Sequence, residues 1–221
     1  MTRKAYHKEL KELEKKLLDM GTMAVKAIEG SVEALSNNDI KAAKNIILND
    51  HFINKERFDI EEECLLVIAT QQPVATDLRS LAAILSVITD LERIADHAEG
   101  IAKICVMNNM KPLVKPLIDI PKMAEKAVNM LQECLTAFVE RDIEAAKRIC
   151  DDDDVVDDLY NQVYKECIML MIDNPKVIEG ATFLLWVAHN LERIADRVTN
   201  IAERVAFMVN GKMEELNTSN Y

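Results

Sequence analysis

Glu92 and Asp96 stand four residues apart in a stretch of helical periodicity, and Glu192 and Asp196 stand four apart in another. At about 100° per residue, side chains at i and i+4 are neighbours on one helix face. Two carboxylates so placed repel one another and cost an isolated helix a little stability. A divalent or trivalent cation bridging them removes that cost, because hard cations draw oxygen ligands from carboxylates. The plain alternative is a solvated face on which Arg93 and Arg193 engage the acids. For a single pair the plain reading is favoured. The same pair at corresponding places in two halves of one chain brings the two readings level.

More acids lie within reach of these pairs. Glu99 extends the face of the first, and Glu203 follows the second. Upstream, Asp153 and Asp157 form another i, i+4 pair inside and just beyond the run of aspartates at 151–154, and Asp50 and Asn54 occupy the matching positions at an offset of 103. An acidic run near a helix start also answers the helix dipole without any ligand. In an antiparallel bundle, however, Asp153 and Asp157 would face Glu192 and Asp196 across a groove, which assembles enough carboxylate for a multinuclear site. The candidate metal ligands are therefore Glu92, Asp96, Glu192, Asp196, Asp153, Asp157 and Asp50. With Asn54 where the second half has Asp157, the first site is expected to be the poorer in ligands. Oxygen-only sets accept iron, zinc, magnesium, manganese or calcium with little discrimination.

Other chemistries find no support. The residues three before His7, His51, His97 and His189 are Lys4, Leu48, Ile94 and Trp186, so the Glu-x-x-His element of helical di-iron proteins is missing. The chain has no Gly-x-x-x-x-Gly-Lys loop, no Gly-x-Gly-x-x-Gly and no Gly-x-Ser-x-Gly. No catalytic constellation is visible, and the expectation is a protein that is not an enzyme.

The elements that hold these acids repeat. The hexapeptide Leu-Glu-Arg-Ile-Ala-Asp occurs at 91–96 and again at 191–196, and Asp-Ile-x-Ala-Ala-Lys occurs at 39–44 and 142–147. One long module has been duplicated, with a small insertion or deletion between the echoes. In the first half, apolar residues at Leu10, Leu13, Leu17, Met20, Ala24, Ile28 and Leu35 follow the spacing of an amphipathic helix. Asp39 offers an N-cap for a second helix, expected to break or bend near Asn49 and Asp50 and to end before Pro73. A third runs from about residue 75 to 107, with Leu91, Ile94, Ala95, Ala98, Ile101 and Ala102 as its core stripe. The segment 108–121 holds three of the five prolines and joins the halves. Helices near 122–139, 142–172 (interrupted near 151–154) and 175–209 repeat the plan, and the polar tail from Gly211 is expected to fray. The expected fold is all-α, two tandem antiparallel three-helix bundles covering residues 1–110 and 111–221.

Composition agrees. Five Gly and five Pro in 221 residues are few for a β-rich chain, and the strong helix formers dominate. A net charge of −11 argues against nucleic acid as a partner. The five cysteines are scattered without Cys-x-x-Cys spacing, as expected for small buried hydrophobes in a reducing compartment. Residues 1–8 are charged rather than signal-like, and no apolar run approaches the ~20 residues of a membrane span. A cytoplasmic protein, at most peripheral to the membrane, is the expectation. Eleven methionines suit either ordinary core packing or an adaptable surface for a partner, including a second copy in a homodimer.

Residues 90–97 and 190–197 closely resemble the paired signature of the PhoU family of regulators associated with bacterial high-affinity phosphate transport. Met20-Gly21 resembles the family's first-helix element, Gln72-Pro73 with Asp77-Leu78-Arg79 its Gln-Pro…Asp-Leu-Arg segment, and Val156-Asp157 its Val-Asp element. Ala95 and Ala195 stand where the family usually has glycine. The resemblance implies a six-helix fold and a negative regulator of the phosphate-starvation response. Its implied partners are the ATPase subunit of a phosphate ABC transporter and a sensor histidine kinase. It also implies multinuclear metal binding at Glu92 and Asp96 and at Glu192 and Asp196. A metal-storage protein, and a metal-free adaptor docking basic surfaces through its acidic faces, are the competing readings.

Overall fold

The computed structural model describes residues 3–216; the charged start at Met1 and Thr2 and the end of the tail beyond 216 lie outside the described residues. It contains α1 (Arg3–Ser36), α2 (Ile40–Gln71), α3 (Thr76–Asn108), α4 (Asp119–Glu140), α5 (Ile143–Asp173) and α6 (Ile178–Asn210), with one 3-10 turn at Pro175–Val177. No strand occurs among the described residues. The helices form two three-helix bundles, α1–α3 and α4–α6, joined where α1 packs on α4 and α3 on α6. Like helices meet like helices, as a pseudo-two-fold between duplicated modules requires.

The repeated Asp-Ile-x-Ala-Ala-Lys segment starts the second helix of each bundle. Asp39 accepts from the Ala42 amide at 2.9 Å and Asp142 from the Ala145 amide at 3.0 Å. Each cap satisfies an amide that the helix leaves unpaired and contributes about 1 kcal/mol. Gln72, left-handed at φ 49°, closes α2 ahead of Pro73.

Two expectations about breaks are corrected. Neither α2 near Asn49 and Asp50 nor α5 at 151–154 is interrupted. Asp50 turns its side chain to Asn54, which donates Nδ2 at 2.7 Å, instead of capping a new helix. Packing of long helices against two neighbours overrides weak local propensity. Pro121 likewise belongs to the first turn of α4, where a missing amide costs nothing, and not to the connector.

The predicted core stripe of α3 is fully buried, as are its counterparts Leu191, Ile194, Ala195, Val198, Ile201 and Ala202 on α6. Small residues also govern the approach of the bundles. A Cβ on Gly21 of α1 would stand 2.4 Å from Leu135 Cδ1 of α4, so a larger residue there would force that side chain to move. Arg141, at the end of α4, donates to the Phe138 carbonyl at 2.8 Å and to Glu14 of α1, crossing between repeats. All five cysteines are free and buried, as expected. The methionines divide: Met20, Met123, Met130 and Met208 are buried, while Met107, Met110, Met169 and Met213 are exposed. The tail differs from expectation as far as it is described, because Leu216 packs on the core and donates its amide to Glu203 Oε1 at 3.2 Å. No helix among the described residues is long and apolar enough to cross a membrane.

Candidate metal centre

In each bundle the acids sit in the groove between the second and third helix, on the α3 or α6 face turned away from the core stripe. In the first bundle, carboxylate oxygens of Asp50 from α2 and of Asp96 and Glu99 from α3 lie within 4.8 Å of one another. Glu92 is one turn before Asp96 and adds its charge to Asp50. Burial first, then Glu99, Asp96 and Glu92, push the Asp50 carboxyl above the usual carboxylate range, while the Asn54 hydrogen bond works against them. Asp50 and Glu99 also line a cavity of about 370 Å³ whose other walls include Met23, Ile46, Phe52 and Ile53.

Three buried acceptors there have no hydrogen-bond donor: Asp50 Oδ1, Asn54 Oδ1 and Glu92 Oε2. The last has only a charge contact from Arg93 Nε at 3.4 Å. Buried acceptors without donors cost about 1–3 kcal/mol each, a cost that a cation or an ordered water in the groove would relieve. Carboxylates joined by an amide oxygen are the donor set of a hard ion. The residues fit the metal that the family resemblance implies.

The second bundle builds the counterpart from α5 and α6. Asp157 lies beside Glu192 and Asp196: burial raises its carboxyl, those two and Asp154 raise it further, and Arg193 opposes them. Asp196 is raised by burial and then by Glu192. Asp153, one turn before Asp157 and matching Asp50 in register, is 2% exposed. Arg193 grips both acids of its own helix, with Nε and Nη2 at 2.8 and 3.1 Å from the Glu192 oxygens and Nη2 at 2.9 Å from Asp196. Arg93 holds its pair more loosely, at 3.4 Å from Glu92 and 3.0 Å from Asp96.

The first groove, expected to be the poorer in ligands, gains a further acid from α3. Glu99, aligned with Thr199, restores the carboxylate that Asn54 lacks relative to Asp157. Among the described residues, the acids of the first bundle include a group of three within 4.8 Å of one another, with Lys103 paired to Glu99 at its edge. Glu99 extends the acidic face without being part of the repeated pair: its counterpart is Thr199, whose hydroxyl donates to the Asp196 carbonyl of its own helix at 2.8 Å. Glu203, the other acid noted, binds the Leu216 amide instead.

The PhoU domain model matches this chain twice, at residues 17–105 and 120–205. The phosphate-specific transport system accessory protein PhoU homolog of Clostridium acetobutylicum is 38% identical over 218 residues, covering 98% of this chain and 100% of the relative. The homolog of the same name from Aquifex aeolicus is 34% identical over 186 residues, or 84% of each chain. Among solved structures, PhoU from Pseudomonas aeruginosa matches at a TM-score of 0.89 and 31% identity, covering 94% of this chain and 100% of that one. The phosphate transport system regulatory protein PhoU from Streptococcus pneumoniae matches at 0.89 and 32%, covering 95% and 99%. With both repeats matched and relatives aligned over nearly its whole length, this chain belongs to the PhoU family.

Proposed function

We propose that the protein is a non-enzymatic negative regulator of the phosphate-starvation response that binds metal in its two acidic grooves. It would act in the cytoplasm, at the inner membrane face, between the ATPase subunit of a phosphate ABC transporter and a sensor histidine kinase. Family membership supports the regulatory part, since its relatives carry the name of an accessory protein of phosphate-specific transport. The metal part rests on one observation above others: Asp50 Oδ1, Asn54 Oδ1 and Glu92 Oε2 are buried together without donors, beside the Asp50, Asp96 and Glu99 cluster.

The residues divide the work. Asp50, Asn54, Glu92, Asp96 and Glu99 would hold ions between α2 and α3, and Asp153, Asp157, Glu192 and Asp196 between α5 and α6. A bound cation supplies charge neutralisation and fixes one helix against another. A regulator of this kind acts by occupancy, holding a partner in one of two states through differential affinity. Deleting the gene should derepress phosphate-starvation genes while phosphate is plentiful, and the wild-type gene should restore repression. A deletion strain that keeps those genes silent at high phosphate would end the regulatory reading and leave metal storage as the better account.

A further inference from the structure

The two grooves have unlike surroundings. In the second, His189 stands one turn before Glu192 on α6, with Nδ1 at 3.5 Å from Glu192 Oε2. The Tyr160 ring of α5 lies 6.3 Å from the imidazole, which places the ring in the α5–α6 groove, next to the helix turn that carries Asp157. The His189 side chain is 55% exposed, so the ring is open to an incoming ligand. Oxygen and nitrogen ligands each about 2.1 Å from one tetrahedral ion lie about 3.4 Å apart, close to the separation observed. In the first bundle the aligned residue is Thr89, whose hydroxyl donates to Leu85 of its own helix at 3.1 Å. The histidines nearest that groove are engaged elsewhere. His97 Nδ1 bonds Asn190 at 3.0 Å, and His51 contacts the Leu48 carbonyl and stacks on Phe52.

We propose that His189 is a nitrogen ligand that gives the second groove a stronger preference for a borderline ion such as Zn²⁺ than the oxygen-only first groove has. This rests on the metal reading above and adds a selectivity to it. Imidazole favours zinc and its neighbours, and carboxylate with amide oxygen favours magnesium, calcium and manganese. The two sites then differ in their preference for zinc although they carry similar negative charge.

The test uses the full chain, stripped with chelator and titrated separately with Zn²⁺ and Mn²⁺, as wild type and as His189→Ala. Nitrogen-15 spectra of the histidine rings are followed through the zinc titration. Loss of the imidazole should weaken zinc at one site by roughly tenfold or more. Manganese binding should stay within about twofold, and zinc should move the ring resonances of His189 in the wild type. Equal zinc affinity in the variant, or a His189 ring that zinc leaves unmoved, overturns the selectivity alone. Wild-type protein that binds neither ion overturns the metal reading and this inference with it.

Discussion

His97 of α3 donates Nδ1–H to Asn190 Oδ1 of α6 at 3.0 Å, and the exchanged pair, Arg197 of α6 with Asp90 of α3, meets at 3.4 Å. Residues 90 and 97 on one helix thus face 197 and 190 on the other, and Asn200 also donates to Asp90 at 3.5 Å. Asn200 aligns with Gly100, where a Cβ would stand 3.0 Å from Asn190 Oδ1. The seam runs one residue from Asp96 and Asp196, so a shift of α3 or α6 at a groove is felt at once between the repeats.

The Asp90 side chain is 10% exposed, and burial holds its carboxyl above the usual range although Arg197 and Asn200 oppose this. Asp90→Ala leaves Arg197 and Asn200 without their acceptor, which should cost about 1–3 kcal/mol. For a chain of this size that lowers Tm by roughly 2–12 °C, read by circular dichroism. Gly100→Ala should fall in the same range by crowding Asn190. A melt unchanged in both variants would show that the seam does not hold the repeats together.

Acid pairs in either groove should be replaceable without unfolding. Glu192→Gln with Asp196→Asn should reduce bound metal in protein purified without chelator, and Asp96→Asn with Glu99→Gln should do so at least as strongly. Helical ellipticity should stay near wild type in both, because these side chains lie off the core stripe. Mass-spectrometric metal analysis decides it, and metal content unaltered in both double variants counts against the grooves as sites.

The fold was legible because its signals are long and redundant. The apolar stripe of α3 recurs on α6, the Asp39 cap recurs as Asp142, and each duplicate confirms the other. The uninterrupted run of α2 and α5 was not legible. Asn49, Asp50 and the aspartates at 151–154 look like caps locally, and only packing against two helices keeps them helical. For the site, the i, i+4 pairs could be read from spacing alone. That Asp50, Asp96 and Glu99 converge depends on the register of α2 against α3, which no single-helix pattern contains. The His189 contact with Glu192 spans only three residues, yet its meaning needs the neighbouring Tyr160 of α5.

Arg193 occupies the oxygens that a metal would need. Removing it as Arg193→Gln should raise metal affinity at the second site by up to about fivefold, the worth of an exposed ion pair of this kind. Arg93→Gln should gain less, because Arg93 lies farther from Glu92 and is 54% exposed against 39% for Arg193. Calorimetric titration of Arg193→Gln with Zn²⁺ and of Arg93→Gln with Mn²⁺, each against wild type, checks the order, and weaker binding in Arg193→Gln would instead make the guanidinium a positioning group for the site.

The buried thiols set an alkaline limit. Burial pushes Cys64 and Cys150 up to about 12, from an ordinary value near 9, and pushes Cys134 higher still. A group whose folded value is raised stabilises the fold fully below its unfolded value and loses that contribution as pH climbs through the folded one. Stability from these cysteines is therefore constant below pH 8 and declines between about pH 9 and 12. Urea unfolding at stepped pH should show the decline, with a shallower slope in a Cys64→Ala, Cys134→Ala, Cys150→Ala variant. At pH 7.5 the native thiols should resist a thiol-reactive dye until denaturant is added. Rapid labelling of native protein at that pH would show that these side chains are open to solvent and remove the basis of the alkaline limit.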